Sequence, residues 1–328
     1  MQTTPAVEPV SQSGEADLSQ KKGKKSQLGD RLFKGLAVLC AVVILLVMAG
    51  FFVELVRRSL PAMKTAGLQL ILSEKWAPNK DVYGGLGIIY GTLVSTAIAM
   101  IIASPLGLAV ALFLTELAPA VVSRIVGTAI ELLAAVPSII YGMWGMFVFV
   151  PLMQHHVQPF LGKTLGFLPL FKGPPLGVGM LTAGIILALM ILPFISAVMR
   201  DVFQMVPSVM KESAYGMGAT TWEVARKVLI PYGLQGLIGA LFLGLGRAIG
   251  ETMAVAFVIG NGTRVEASLF APGSTIASHI ANQFPESSGV FESALIELGL
   301  LLFLMTFLIQ VAAHFWLRRI AVKRGAER

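Results

Sequence analysis

Charged residues are scarce in this chain, and cysteine is almost absent. Of the 328 residues, 13% are charged and 55% are hydrophobic, whereas about a quarter of the residues in a typical soluble domain are charged. The single cysteine, Cys40, lies inside an apolar stretch, so an intramolecular disulfide is excluded. The composition therefore excludes an ordinary soluble domain and predicts an all-α protein that crosses a membrane several times.

The sequence also lacks the motifs of a nucleotide site and of a metal site. The Gly-Lys-Thr at 162–164 has Val157 where the first glycine of a Walker A loop would stand. His155 and His156 are adjacent and project apart, and the other two histidines are distant in sequence. We therefore expect no ATP hydrolysis by this chain itself, no metal and no cofactor.

Six apolar stretches are long enough to cross a bilayer, which requires about 20 residues. In chain order they cover about Leu32–Val56, Leu86–Leu117, Ile125–Leu152, Leu176–Met199, Leu237–Gly260 and Leu295–Leu317. Pro105 in the second stretch removes a helix hydrogen bond, so this stretch is either one kinked span or two short ones. The sequence predicts six transmembrane helices.

The net charge of +7 reflects membrane orientation and does not indicate nucleic-acid binding, because the basic residues cluster at the ends of the apolar stretches. Residues 1–31 contain no apolar run and predict a disordered tail, and residues 318–328 predict a basic tail. Residues 32–85 would hold the first transmembrane helix and an outer loop, and residues 86–317 the helical core. Six spans and basic flanks predict that both termini are cytoplasmic.

A polar segment inside the core, residues 207–231, has the signals of two short helices, and we call it the bracket. The Pro-Ser pair at 207–208 can begin the first helix, since proline is tolerated in the first turn and serine can cap free N–H groups. Gly218 can adopt the left-handed conformation that ends a helix. The bracket is thus predicted to begin with a helix and a tight turn.

The second helix of the bracket follows at once. Thr220 and Glu223 have the spacing of a capping box, and Pro231 is expected to close the segment. Two interpretations of this helical hairpin remain open: it either rests on lipid headgroups as an amphipathic element or is held by another protein.

The bracket resembles the EAA loop of binding-protein-dependent ABC-transporter permeases. The resemblance rests on Glu212, Ser213 and Ala214, followed by Gly218 and Pro231 at the family spacing. In that family the loop docks on a cytoplasmic ATPase. The resemblance therefore implies a coupling role for these residues.

The chain departs from the EAA pattern at three positions. Ser213 replaces an alanine, Val228 replaces an isoleucine, and Ile230 replaces a leucine. Each substitution keeps the small or apolar character of the position, so docking is still expected. Thr220 and Glu223, as the cap of the second helix, are included in the coupling segment that the resemblance implies.

Two charged residues lie deep within the fifth predicted span. Arg247 and Glu251 are near its centre, where each charge costs about 2.5–3.5 kcal/mol on insertion scales. Four residues apart on a helix, they would share one face and could pair. They are interpreted either as a buried ion pair that fixes helix packing or as part of a substrate path. Glu131 in the third span is either a further member of this network or a packing residue.

The sequence around these charges resembles the phosphate-transporter permeases of the PstC family. The resemblance rests on RAIGETMAV at 247–255, on ELLAAVPSIIYG at 131–142 and on the later VIGNG and STIASHIA, and it covers nearly everything after about Leu60. It implies the six-helix fold of ABC-importer permeases, described as MetI-like. In that family the arginine and glutamate are required for phosphate transport, and these roles would fall to Arg247 and Glu251.

The resemblance implies a permease subunit in the bacterial cytoplasmic membrane that imports phosphate and is not itself an enzyme. Its implied partners are a PstA-like permease, a dimer of a PstB-like ATPase and a PstS-like periplasmic phosphate-binding protein. Two alternatives remain: a permease for another oxyanion or solute, and an ion-coupled carrier that works alone. The bracket argues against the carrier, which has no ATPase to bind.

Physical chemistry is compatible with the roles that the resemblance implies. The planar donors of Arg247 suit the oxygens of a phosphate anion in a low-dielectric channel. Glu251 would compete for the guanidinium and keep phosphate affinity low enough for release, since conduction requires sites that both admit and release the ion.

Overall fold

The computed structural model describes the backbone of residues 13–65, 67 and 69–325, and the side chains of residues 29–65, 67 and 69–316. The chain divides into two units at Glu54. In its described part the first unit consists of the initial portion of one long helix. The second unit, from Leu55 onward, holds all the other elements described below.

The described residues are mainly helical, which confirms the predicted all-α class. The α-helices are α1 (Ser13–Thr65), α2 (Gln69–Leu72), α3 (Leu86–Leu112), α4 (Ala120–Ala134), α5 (Ser138–Trp144), α6 (Val150–Leu152), α7 (Gln158–Leu165), α8 (Met180–Gln204), α9 (Ser208–Gly216), α10 (Thr221–Val224), α11 (Ile230–Ile249), α12 (Met253–Val258), α13 (Ile276–Gln283) and α14 (Val290–Gly325). Strands β1 (Trp76–Ala77) and β2 (Val82–Tyr83) form an antiparallel pair. Short 3-10 turns cover Pro78–Lys80, Pro169–Phe171 and Phe284–Glu286.

Five helices of the described chain are long and apolar enough to cross a membrane. They are Gly29–Thr65, Leu86–Leu117, Met180–Gln204, Thr221–Ile249 and Val290–Trp316. A sixth crossing requires that α4 and the helix Ser138–Leu165, which meet at a bend of 90°, count as one span. The six predicted spans therefore correspond to five long helices and one bent pair.

The structure decides the continuity of the second predicted span and corrects that of the third. The second stays a single helix through Pro105, so the alternative of two short spans is wrong. The third, predicted as one span, bends at residues 135–137, where Pro137 cannot donate a backbone hydrogen bond and disfavours helical geometry in the residue before it.

Proline also explains the four π-helical turns of the chain's described part. These turns cover Phe113–Leu117, Gly145–Phe149, Met153–Val157 and Ala225–Leu229, and each is followed two residues later by a proline: Pro119, Pro151, Pro159 and Pro231. A proline ring clashes with the carbonyl four residues earlier and offers no N–H to it. Widening the preceding turn relieves that clash, which lets the helix continue through three of the four prolines.

The predicted disorder of residues 1–31 differs from the structure in the part that the structure describes, and the basic tail, for which no secondary structure was predicted, is helical where it is described. Residues 1–12 and 326–328 lie outside the described residues, but α1 begins at Ser13, within the segment 1–31 predicted to be disordered. In the same way α14 continues through the predicted basic tail as far as Gly325. Extending an existing helix requires no new nucleus, so polar residues next to an apolar span can remain helical.

Helix α8 lies at the centre of the second unit. In the most apolar 18-residue stretch of α8, 67% of the residues are buried. The corresponding share is 28% for the helix that contains α3 and 33% for the helix Thr221–Ile249. Small residues bring neighbouring helices close to it: a methyl group added at Gly244 of α11 would lie 2.5 Å from Ile195, and one added at Gly107 of α3 would lie 3.1 Å from the same residue. The core is therefore built by α3 and α11 packing on α8.

The N-terminal end of α3 is packed against residues 274–276, at the start of α13. The Thr92 hydroxyl accepts a hydrogen bond from the N–H of Ile276 at 2.9 Å. A methyl group at Gly91 would overlap the carbonyl oxygen of Ser274. The start of α3 and residues 274–276 thus form one tightly packed contact.

An aromatic cluster covers the same end of the molecule. The Trp76 ring lies 4.7 Å from the ring of His279 and 5.5 Å from that of Tyr83, which in turn stacks on Phe291. Burial lowers the pKa of His279 to about 4, so its imidazole is neutral at pH 7. Next to the cluster, a cavity of about 470 Å³ opens between residues 78–83 and 283–291.

The contact at Gly91 yields a test of the packing. We expect Gly91→Ala to lower the free energy of unfolding by about 1–3 kcal/mol, because the added methyl group overlaps a backbone carbonyl that cannot move aside freely. Gly239→Ala is the matched control, since no atom lies within 4 Å of its added methyl group and alanine favours the helix. Thermal unfolding of the detergent-solubilised protein measures both changes. Equal midpoints for the two variants would contradict this packing.

Candidate functional site

The fifth predicted span is broken close to its charged residues. Helix α11 ends at Ile249, and the separate short helix α12 begins at Met253. Arg247 therefore lies in the last turn of α11, and Glu251 lies in the connection between the two helices. Gly250 forms the end of α11 and is exposed. The prediction that the two charges share one face of a continuous helix is wrong.

Arg247 and Glu251 make separate contacts instead of an ion pair within the part of the chain that the structure describes. The guanidinium carbon of Arg247 lies 5.5 Å from the centre of the Phe194 ring, a cation–π distance. One carboxylate oxygen of Glu251 accepts a hydrogen bond from the N–H of Ala254 at 3.2 Å and so caps the first turn of α12. The break in the helix explains the difference, because the i, i+4 geometry required for pairing ends with α11.

Arg247 is exposed and lies level with the middle of α8. Towards the bracket, Gly236 packs on Val202 near the end of α8, and at the opposite end of α8 the N–H of Gly179 donates to the carbonyl of Val258 at 3.1 Å. Arg247 lies between these two contacts along the chain, and its side chain is exposed. Arg247 is thus an exposed cation beside Phe194, near the middle of α8 and away from both of its ends.

Glu131 is separated from this pair of charges. It lies on α4, exposed, and its carboxylate is 3.4 Å from a guanidinium nitrogen of Arg200 at the end of α8. The same guanidinium lies against Gly127, where an added methyl group would overlap it. The structure therefore brings Glu131 to Arg200 and not to Arg247 or Glu251. The sequence interpretation that included it in their network is not supported by this contact.

The first half of the bracket has the predicted helix and turn, but not the predicted serine cap, because Pro207 takes the N-cap position and no side chain caps the helix. Helix α9 begins at Ser208 after Pro207 and ends at Gly216. Gly218 then adopts φ = 88°, the left-handed region that non-glycine residues avoid. No atom lies within 4 Å of a methyl group added at Gly218. The backbone conformation alone, and not the available space, therefore requires glycine there.

The second half of the bracket has the predicted cap but not the predicted end. The hydroxyl of Thr220 accepts from the N–H of Glu223 at 3.3 Å, and the Glu223 carboxylate accepts from the N–H of Thr220 at 3.1 Å. This is a complete capping box. Pro231 does not close the segment, because the π-helical turn before it lets the helix continue to Ile249.

The bracket presents an exposed face beside the EAA residues. Glu212 and Ser213 are exposed, whereas Ala214 is buried and packs with the core. Several large apolar side chains on the bracket are also open to solvent, among them Met217, which is 83% exposed, Val209 with 68% and Trp222 with 65%. Exposed apolar side chains rimmed by polar residues mark surfaces that bind other proteins or membranes.

One buried acidic residue was not singled out from the sequence. Glu297 lies in α14, within a predicted span, and is 8% exposed. Its Oε2 has no hydrogen-bond partner among the described residues. The sequence contains the signal that could have identified Glu297, since it lies inside the sixth apolar stretch and any carboxylate within a transmembrane segment is a candidate for function.

Comparison with known proteins identifies relatives along most of the chain. The family model described as "Binding-protein-dependent transport system inner membrane component" matches residues 103–322. The protein named "Phosphate transport system permease protein PstC" from Pasteurella multocida is 51% identical over 90% of this chain and 93% of its own length. The protein of the same name from Haemophilus influenzae is 49% identical over 90% of this chain and 95% of its own.

Solved structures share the fold at low sequence identity. A bacterial alginate ABC transporter in complex with a pentasaccharide-bound periplasmic protein has a TM-score of 0.61 and 16% identity, covering 90% of this chain and 97% of its own. The MetNI methionine ABC transporter in an inward-facing conformation has a TM-score of 0.53 and 21% identity, covering 71% and 94%. These likenesses confirm the predicted ABC-importer permease fold and carry no information about the substrate.

The turn of the bracket can be tested through its backbone. We expect Gly218→Val to destabilise the bracket by about 1–2 kcal/mol, because an L-residue with a side chain is strained at positive φ. Gly216→Val is the control: its added methyl group also meets no atom within 4 Å, but its backbone is helical. Amide hydrogen exchange over residues 208–224 should accelerate only in the Gly218 variant. Equal protection in both variants would exclude a conformational role for the glycine.

Proposed function

Because this chain belongs to the PstC family of binding-protein-dependent transport system inner membrane components, we propose that it forms part of the translocation path of an ATP-driven phosphate importer. It is a multi-pass membrane protein and a permease subunit, not an enzyme, since in this family the ATPase is a separate subunit. The observation that carries the proposal is the position of Arg247, an exposed cation beside Phe194 near the middle of α8.

Arg247 has the properties of a transient phosphate site. Its guanidinium can donate two parallel hydrogen bonds to phosphate oxygens. It makes a cation–π contact with Phe194 but no ion pair with Glu251, so its donors are not occupied by that carboxylate. The substrate phosphate is thus the natural counter-charge for this cation during passage.

Glu251 serves this site indirectly in the proposed path. It caps α12 through the N–H of Ala254 and lies in the broken part of the span, four residues from Arg247. Irregular backbone at membrane depth is tolerated where it lines a cavity or is covered by protein. We infer that the break at 250–252 borders the path, and that a carboxylate there limits phosphate affinity so that the ion is released.

The bracket is the proposed docking surface for the ATPase. Its exposed Met217 and Trp222 lie beside Glu212 and Ser213, and the capping box of Thr220 and Glu223 keeps its second helix ordered. The residues proposed to act there are those of the EAA resemblance and the cap. They are Glu212, Ser213, Ala214, Gly218, Thr220, Glu223 and Pro231.

Helix continuity supports coupling between the bracket and the path. From Thr221 to Arg247 the chain is one helix, which spans about 39 Å at 1.5 Å per residue. Movement of the bracket is therefore transmitted to the level of Arg247 along a single element. This is the geometry required for rigid-body alternating access.

The partners follow from the same family. We propose that a PstA-like permease covers the exposed Arg247, that two PstB-like ATPases bind the two brackets of the heterodimer, and that a PstS-like periplasmic protein delivers phosphate. The location is the bacterial cytoplasmic membrane with both termini in the cytoplasm, because the basic flanks and the bracket then share one side. The lipid bilayer surrounds the spans, and nucleic acid has no role.

Phosphate uptake tests the role of the charged residues. In proteoliposomes that contain the whole complex, Arg247→Gln and Glu251→Gln should each reduce labelled-phosphate uptake by more than about tenfold without loss of assembly. Arg247→Lys keeps the charge but loses the planar fork, so an intermediate rate would show that charge alone contributes. Lys163→Gln removes an exposed cation elsewhere and should leave uptake unchanged.

Two results would contradict this assignment. Wild-type uptake in the Arg247→Gln/Glu251→Gln double variant would reduce the two charges to structural roles. Uptake of sulfate or molybdate in preference to phosphate would assign the complex to another oxyanion.

Cysteine labelling tests the orientation. In a Cys40→Ser background, Met217→Cys on the bracket should react only with reagents that reach the cytoplasm, and Lys80→Cys only with reagents added outside. Both side chains are exposed, so their accessibility depends on the membrane side and not on burial. Reaction of Met217→Cys with an impermeant external reagent would invert the proposed topology.

A further inference from the structure

An ion pair joins the bracket to α3, a long helix that is not its neighbour along the chain. The chain itself connects the bracket to α8 on one side and to α11 on the other. In addition, Lys211 of α9 lies with its Nζ 2.6 Å from a carboxylate oxygen of Glu116, in the π-helical turn that ends α3. The bracket is thus attached to three of the long helices.

This ion pair is shielded from solvent. The side chain of Glu116 is 8% exposed and that of Lys211 22%. The other ion pair of the bracket, between Lys227 and Glu223, is exposed and links residues of one helix, so it adds little to the fold. A shielded carboxylate that loses its partner is left buried and uncompensated, so Lys211 and Glu116 are held together more firmly than an exposed pair.

The end of α3 is held in place by burial and by a hydrogen bond, so it can move together with Lys211. Leu114 in the π-helical turn is buried, and its carbonyl accepts a hydrogen bond from the hydroxyl of Ser123 at 2.7 Å. Glu116 lies two residues further on in the same turn. A displacement of Lys211 is therefore transmitted to the helix and not absorbed by a loose loop.

The opposite end of α3 contacts residues 274–276, which we call the outer segment. Thr92 accepts a hydrogen bond from the N–H of Ile276, and Gly91 packs against the carbonyl of Ser274. Between these contacts and Glu116 the helix is continuous. Helix α3 thus connects the inner ion pair to residues 274–276 on the other side of the molecule.

We propose that Lys211 and Glu116 are positioning residues that carry the movement of the bracket into α3 and through it to the outer segment at 274–276. The proposal rests on the proposed function, since it assumes that an ATPase moves the bracket. It adds a second route of coupling, beside the helix that leads from the bracket to Arg247.

Charge reversal tests the pair. In the reconstituted complex, Lys211→Glu and Glu116→Lys should each lower the phosphate taken up per ATP hydrolysed by about tenfold. The double reversal restores the ion pair and should return this ratio to within about twofold of wild type. Glu116→Gln keeps the side-chain shape and serves where a reversal prevents assembly. Arg124→Glu, an exposed charge on α4, is the control and should leave the ratio unchanged.

The amount of phosphate taken up per ATP hydrolysed distinguishes a loss of coupling from a loss of folding. A merely structural pair would lower the yield of assembled complex while the phosphate taken up per ATP stays constant, and that result would overturn the proposal. An unchanged ratio in both single reversals, or no recovery in the double reversal, would do the same.

A second readout does not depend on phosphate. In the Cys40→Ser background, the labelling rate of Arg264→Cys near the outer segment should change when ATP is trapped in the complex, and Lys211→Glu should abolish this change. If the wild-type complex takes up no phosphate, the proposed function fails, yet this labelling still decides the role of the pair. A change that persists in Lys211→Glu would refute it.

Discussion

The close packing of α3 and α11 on α8 is the constraint on which the rest of the structure depends. In a bilayer the lipid tails are as apolar as the side chains, so helices associate through van der Waals contact at small residues. A methyl group added at Gly244 would lie 2.5 Å from Ile195 of α8 and one added at Gly107 would lie 3.1 Å from it, so both glycines let their helices approach α8 closely. These contacts fix where the two ends of each of the three helices lie, and hence where the bracket and the charged residues are held.

Interruptions of helical geometry then determine the properties of the site. The widened turn before Pro231 keeps the bracket and the fifth span in one helix, whereas the break at 250–252 separates Arg247 from Glu251. Both features concern backbone hydrogen bonds, which must be satisfied within the protein at membrane depth. Glu251 satisfies one of them by capping α12, and Arg247 remains exposed.

The attachments of the bracket give a physical account of coupling. One end of the bracket continues into the helix that carries Arg247, and its first helix is tied to α3 through Lys211 and Glu116. A movement of the bracket would therefore reach the proposed phosphate path and residues 274–276 by separate helices. Such transmission requires rigid elements with stable connections between them. The capping box stabilises the second helix of the bracket, and the shielded ion pair connects its first helix to α3.

The sequence by itself determined the helical class, the membrane location, and the turn and second cap of the bracket, because these depend on composition and on signals a few residues apart. The left-handed Gly218 and the reciprocal cap of Thr220 and Glu223 are such local signals. The sequence also marked Arg247 and Glu251 as costly charges. Only the tertiary structure decided that they do not pair, that Glu131 meets Arg200 and that Lys211 meets Glu116. The reason is that a helix break and contacts between residues 69 or 95 positions apart depend on how the spans pack, which no short stretch of sequence specifies.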